Sequence, residues 1–323
     1  MKLAYIRGLY FLCCFLLLQP FPPFITAQTS EAETYDQYLS RSIIRVNSSL
    51  VSVPIAVTNA SGQGVADLRI EDFSLAEDGR AAEINRLLDS SRLNIALLFD
   101  TSGSVNFNFE FEQNAAIDFL KKIWKEGDTV TIISFDERSE ILLKSGDNLQ
   151  EAMWTLRQVK PTGRTTSFFD ALTLAARTIE QSASEETRQA IIVISDGADN
   201  TSVNTLAATL LEMQRRNVVF YAINPSGTAI VRLNRVSGKG QENLEVFAKA
   251  TGGSVFVSDD MDDLENIFGK IVLELRAQYL LLYYSLIQGM DGKFHNIEVS
   301  IPSRPELNIR ARPGFLAVSR AGD

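Results

Sequence analysis

The chain has 323 residues, and its 40 acidic against 31 basic residues leave a formal net charge of −9. With no basic stripe to neutralise phosphates, nucleic acid and anionic lipid are excluded as natural partners, while hard cations and basic proteins stay open. The two cysteines, Cys13 and Cys14, both fall in an N-terminal apolar run, so the remaining chain can form no disulfide, thiolate metal site or cysteine nucleophile.

That run, Leu9 to Leu18, follows Lys2 and Arg7 and precedes a Pro-rich stretch ending in Ile25-Thr26-Ala27. This is the layout of an export signal, residues 1–27, with cleavage expected after Ala27. The run is shorter than the roughly 20 residues of a spanning helix. The expectation is an exported chain, periplasmic or secreted, with no membrane span after processing. Without Lys2 and Arg7 the balance becomes 29 basic against 40 acidic residues, about −11. Residues 28–41, rich in Ser and Glu, read as a flexible lead-in.

Residues 42–90 alternate apolar and polar positions and are punctuated by turns. VSVPIAVTNASGQG reads as a strand and turn, and FSLAEDGRAAEINRLL as a hairpin around Glu77-Asp78-Gly79-Arg80. The rhythm changes over 91–277. Buried-type runs at 93–99, 129–135, 190–195, 217–223 and 254–257 alternate with helix-period stretches near 109–125, 148–159, 168–181, 204–216, 242–250 and 261–277. Near-continuous β-branched runs separated by helices specify an α/β domain with a doubly wound, mostly parallel sheet covered on both faces. SEILLK (139–144) is expected as an antiparallel edge strand. Strand vocabulary returns over 278–323, in YLLLYYSL, FHNIEVSI and NIRARPGFLAV. These strands need a partner sheet, and folding back on 42–90 would complete a β-sandwich split by the α/β domain. The basic segment 224–241 reads as a long, mobile surface loop, with a partner-specific contact as the alternative.

The first strand of the α/β region ends in Asp100-Thr101-Ser102-Gly103-Ser104. In open α/β sheets, ligands bind beyond the carboxyl ends of strands where strand order reverses. A tight turn at Gly103 would let one carboxylate and two hydroxyls converge there, an oxygen set suited to a hard cation such as Mg²⁺. Thr165 and Thr166 precede a later helix, and Asp196 ends another buried run. Together these donors leave a divalent ion short of a full shell, so that a carboxylate from outside can complete it. The same Asp and Ser residues can also act as a helix N-cap cluster.

This arrangement resembles the metal-ion-dependent adhesion site of von Willebrand factor type A domains: Asp-x-Ser-x-Ser, then Thr, then Asp. The similarity runs over roughly 92–275, including Thr251-Gly252-Gly253, and the flanking strands look like those of exported bacterial proteins related to this family. The resemblance implies metal ligands Asp100, Ser102, Ser104, Thr166 and Asp196, with the hydroxyls touching the ion and the aspartates often acting through water. Mg²⁺ is the implied cofactor, with Mn²⁺ or Ca²⁺ as alternatives. The implied partner is a protein presenting an Asp or Glu carboxylate. Many relatives carry two glycines before the metal threonine where this chain has Arg164-Thr165. Thr166 is chosen because it stands four residues before Asp170, and Thr165 is the alternative.

Other residues have two readings each. Phe107, Phe109, Phe111, Phe168 and Phe169 are core packing or an apolar collar around the ion. Arg164 is a solvated charge or a guide for an incoming carboxylate. Asp199 and Asn200 read as turn formers, and His295 as a structural or surface residue. The expected function is therefore cation-dependent, adhesion-type protein binding, not catalysis. A metal-independent scaffold is the alternative, and a metal-assisted hydrolase is disfavoured because the loops offer no general base beyond the ligands.

Overall fold

The computed structural model describes residues 48–89, 92–103, 109–180, 186–233, 235–289 and 291–317. The expected export signal and flexible lead-in, residues 1–41, lie outside them. No helix among the described residues is long and apolar enough to cross a membrane.

Six strands form the central sheet: β5 (Leu93–Asp100), β6 (Thr129–Phe135), β7 (Ser139–Gly146), β8 (Arg188–Ile194), β9 (Val218–Asn224) and β10 (Ser254–Val257). Their order is β10-β9-β8-β5-β6-β7, all parallel except β7, which pairs antiparallel with β6 at the edge. Every residue of β5 is buried, because both faces of this central strand are covered. The period of two sorts its side chains: Leu93, Ile95, Leu97 and Phe99 enter one core, Ala96 and Leu98 the other.

The first core is closed by α1 (Phe109–Ile123), α2 (Leu149–Gln158) and α7 (Met261–Ala277), through residues such as Phe119, Leu156 and Phe268. The second is closed by α3 (Phe168–Glu180), α4 (Leu206–Arg215) and α6 (Arg235–Thr251), through Leu172, Met213 and Phe247. The sheet is thus doubly wound, as the sequence periodicity requires. Strand order reverses at β5: the chain runs outward through β6 and β7, then returns to β8 on the other side.

Two four-stranded sheets flank this unit. One has order β13-β1-β11-β4 and the other β14-β12-β2-β3. They combine β1 (Ser48–Thr58), β2 (Ser74–Glu77), β3 (Arg80–Ala82) and β4 (Ile84–Leu88) with β11 (Tyr279–Gln288), β12 (Phe294–Ser300), β13 (Asn308–Ala311) and β14 (Gly314–Leu316). Val53, Ile55 and Leu281 of the first sheet meet Leu75, Ile297 and Phe315 of the second in one core. A β-sandwich built from both ends of the chain results.

Two expectations need correction. The segment 224–241 is not a long loop, because it contains α5 (Thr228–Leu233) and the first turns of α6. NIRARPGFLAV is not one strand: Pro313, which cannot donate to a ladder, stands between β13 in one sheet and β14 in the other.

Candidate functional site

Asp100 is the last residue of β5, and burial leaves it 2% exposed. Its Oδ1 accepts from the Ser102 N–H at 3.0 Å and its Oδ2 from the Ser195 hydroxyl at 2.8 Å. Burial raises its pKa to about 6. The Ser102 and Ser195 bonds oppose the rise, and the nearby Asp196 carboxylate adds to it. Ser102 and Thr166 are buried, Asp196 is half-buried, and Thr165 is exposed. Ser104 and Phe107 lie outside the described residues.

Backbone bonds tie the three loops together. The Thr101 carbonyl accepts from Thr162 N at 2.7 Å and from Gly163 N at 3.2 Å, while Gly103 N donates to the Arg164 carbonyl at 3.0 Å. The Thr166 carbonyl accepts from Asn200 N at 2.9 Å, joining the second loop to the third. Ser195 joins the third to the first, because its hydroxyl also accepts from Gly197 N at 3.1 Å. A Cβ on Gly103 would approach the Gly163 carbonyl oxygen to 3.2 Å. Its small size therefore serves the approach of two loops.

Several contributors to these loops belong to no local sequence motif. Asp199, read as a turn former, accepts from the Phe169 N–H at 3.1 Å, and the Ser202 hydroxyl accepts from Asp170 N at 3.1 Å. The third loop thus caps α3, the helix that follows Thr166, in trans. Asp170 returns the bond by accepting from Val203 N and Asn204 N at 2.9 and 2.8 Å. Glu112 on α1 is 2% exposed, and burial, with the Asp100 charge adding to it, pushes its pKa to about 8. The available signal was an acid on the apolar face of an amphipathic helix, between Phe109 and Ala116. Gly197 and Gly240 bring α6 against the third loop: a Cβ on Gly240 would stand 2.2 Å from the Asp196 carbonyl oxygen.

The aromatics mostly take the packing role. Phe109 and Phe168 are buried, Phe109 against Phe99 and Phe168 against Phe135 and Phe247. Phe111 and Phe169 are half-buried against the same cores. Arg164 is exposed and lies 3.5 Å from Glu137 and 3.8 Å from Asp136. Among the described residues no group of three or more His, Cys, Asp or Glu side chains is arranged to hold a metal. The expected donor set would not form one, since it contains only two carboxylates and otherwise hydroxyls.

The fold and these loops can be compared with known proteins. The family model for the von Willebrand factor type A domain matches residues 94–270, more than half of the chain. No curated protein matches it. Among solved structures, proximal thread matrix protein 1 from the mussel byssus is similar at 19% identity, over 66% of this chain and 51% of that one, with a TM-score of 0.50. A second structure of the mussel protein, described as having a zinc occupied MIDAS motif, aligns at 20% identity over 62% of this chain and 49% of that one, with a TM-score of 0.49. The conserved hypothetical protein BatB from Bacteroides thetaiotaomicron aligns at 16% identity, over 57% of this chain and 99% of that one, with a TM-score of 0.45. The chain spans about half the length of the mussel protein. At such identities the likeness concerns the fold alone. The matched model, the doubly wound sheet and the three joined loops lead to one conclusion: this chain belongs to the von Willebrand factor type A domain family.

Proposed function

We propose that the chain is an exported, divalent-cation-dependent protein-binding module. Asp100, Ser102, Ser104, Thr166 and Asp196 would hold the ion, which is Mg²⁺ in this reading, with Mn²⁺ or Ca²⁺ as alternatives. The observation that carries the reading is the joining of the three loops at the reversal of strand order. The donor chemistry fits a hard cation, being all oxygen. The raised pKa of Asp100 fits too, because a buried carboxylate pressed by a second one gains from a nearby positive charge.

The ion would supply one coordination position for an Asp or Glu of the partner protein. The residues of this chain orient that position: Ser195 fixes the Asp100 carboxylate, and the bonds to the Thr101 and Thr166 carbonyls fix the spacing of the loops. Binding is favoured over hydrolysis because the chain's one histidine, His295, lies on β12 of the sandwich and not on these loops.

Thermal melts of the wild type and of Asp100→Ala, in EDTA and with Mg²⁺ or Mn²⁺, test the reading. A ligand at a hundredfold its Kd stabilises by about 2.7 kcal/mol, so the wild type should melt several degrees higher with the ion and Asp100→Ala should not respond. Partner capture from envelope and medium should fail in EDTA and with Asp100→Ala. Wild-type melts that ignore both chelator and excess ion would remove the metal.

One observation favours a metal-independent scaffold as the second reading. Both carboxylate oxygens of Asp100 already accept hydrogen bonds from the chain itself, so the loop is satisfied without an ion. Partner capture that persists in EDTA would select this reading.

A further inference from the structure

Beside the loop that follows β5, a cavity of about 540 Å³ opens between the β6–β7 edge of the sheet and α2. Its size falls within the range of small-ligand and side-chain pockets, roughly 300–1,000 Å³. Thr101, the residue between Asp100 and Ser102, lines it, together with Leu142, Val159 and Trp154. Trp154 is 63% exposed, although a tryptophan normally buries most of its ring. The remaining faces of α2 account for its helical anchoring, since Ala152, Met153 and Leu156 fill the core.

Charge gives the cavity a direction. Arg138, Lys160 and Arg164 all line it. Arg164 is engaged by Asp136 and Glu137. Among the described residues no carboxylate lies within 4.0 Å of the Arg138 guanidinium or the Lys160 ammonium. Asp136 and Glu140 also line the cavity: Asp136 is buried and accepts from the Arg138 N–H at 2.9 Å, and Glu140 is exposed, so the lining keeps three basic against two acidic side chains. A basic excess beside an exposed indole stands out on a chain of net charge −9. An exposed aromatic with nearby arginine is the composition of a binding hot spot, and it calls for an apolar group and an anion together.

We propose that this cavity is a specificity subsite for the partner protein: it receives a bulky apolar side chain against Trp154 and a carboxylate at Arg138 and Lys160, both from one extended acidic segment. The inference rests on the protein-binding reading above and deepens it. A segment seated here passes directly beside Thr101, so its neighbouring residues reach the Asp100 loop. The metal position would then accept a generic carboxylate, while the cavity selects which segment carries it.

The test pans a random dodecapeptide library, displayed on phage, against the immobilised full chain in Mg²⁺. Enriched sequences should pair Asp or Glu with Phe, Trp, Leu or Met within a few positions. Fluorescently labelled synthetic copies should lose at least tenfold in affinity, read by anisotropy, to Trp154→Ala and to the double variant Arg138→Glu/Lys160→Glu. The substituted side chains are exposed, and circular dichroism checks that the variants are folded. Enrichment without the acidic-apolar pairing, no enrichment, or affinities unchanged in both variants would each overturn the proposal. Asp100→Ala and EDTA separate the two readings. Peptides that ignore both but are lost with the cavity variants keep the subsite and remove the metal. Peptides lost only with Asp100→Ala or EDTA keep the metal and remove the subsite.

Discussion

His295 shows how a residue without sequence context acquires a role. It is the only histidine of the chain, and on β12 it is buried, with Nδ1 2.8 Å from Asp78 and Nε2 3.0 Å from Asp291. Burial alone would lower its pKa, but the bonds to Asp291 and Asp78 outweigh it and raise the pKa above 6.5. The bonds from His295 lower both aspartates in turn, helped by the N–H groups of Asn296 and Lys293. Arg80 and Lys293 are the other charges nearby, and Phe315 packs on the ring. A raised histidine contributes stability that is fully present below 6.5 and is lost as pH rises through the folded pKa. The lowered aspartates contribute above 3.8 and lose it as pH falls through their folded values. This link between the β2–β3 hairpin turn and the β11–β12 connection should therefore be strongest between about pH 4 and 6.5. The lone imidazole C–H resonance should titrate above 6.5, and His295→Gln should abolish the loss of stability across that step. A midpoint at or below 6.5 would contradict the assignment. At the candidate site, Ser195→Ala removes a buried bond to a carboxylate and should destabilise the chain by about 1–3 kcal/mol in urea melts.

At the scale of elements, the contact between α6 and the third site loop sets two effects against each other. Gly240 lies inside a helix, where alanine is ordinarily favoured by about 1 kcal/mol. Its added Cβ, however, would stand 2.2 Å from the Asp196 carbonyl oxygen and 3.0 Å from Ala198 N, which are backbone atoms unable to rotate away. Overpacking of this kind costs about 1–3 kcal/mol. The steric effect wins, and Gly240→Ala should lower the melting temperature while also weakening the response to Mg²⁺, because the loop carrying Asp196 must shift. A stabilised variant would show that α6 can move away freely. The hairpin β2–β3 is a simpler case. Asp78 and Gly79 both have positive φ, at 50° and 75°, the conformation a two-residue turn demands of an Asp-Gly pair.

For the whole molecule, a polar seam joins the α/β unit to the sandwich. Buried Arg188 donates to the carbonyls of Leu275 at 2.5 Å and Gln278 at 3.0 Å, at the point where α7 becomes β11. Within the α/β unit, Arg276 near the same end of α7 bonds Asp128 and the Ile123 carbonyl. From the sandwich, Arg312 reaches the Ser52 carbonyl at 2.9 Å and the Asn217 side chain, and Arg310 reaches the Gly252 carbonyl at 3.0 Å and Glu274. The described residues accordingly belong to a single compact unit. They should unfold in one cooperative transition, with fluorescence and circular dichroism melts coinciding. A fragment of residues 91–277 loses the Gln278 carbonyl bonded by Arg188 and the arginine partners of Glu274 and Asn217, each about 1.5–3 kcal/mol for a charged bond. It should melt well below the full chain, and equal melting temperatures would show the seam to be dispensable.

The central sheet was legible in the sequence because a strand covered on both faces has to be apolar at every position, and its helices because each shows one apolar stripe. The runs 129–135 and 254–257 and the helix 261–277 coincide with the observed elements. The Asp-x-Ser-x-Ser stretch was equally plain, since chemistry and strand end fall within five residues. Segment 224–241 misled because its many Gly, Ser and Arg residues hide a helix held by packing of Gly240 and Leu244. Glu112, Ser195, the capping by Asp199 and Ser202, the His295 link and the cavity beside Trp154 join residues remote in sequence. No local pattern encodes such neighbours. Composition and periodicity decide which face of an element is buried, because transfer from water acts on each residue separately. Which polar groups meet depends on how sheets and helices stack, and that only the tertiary structure decided.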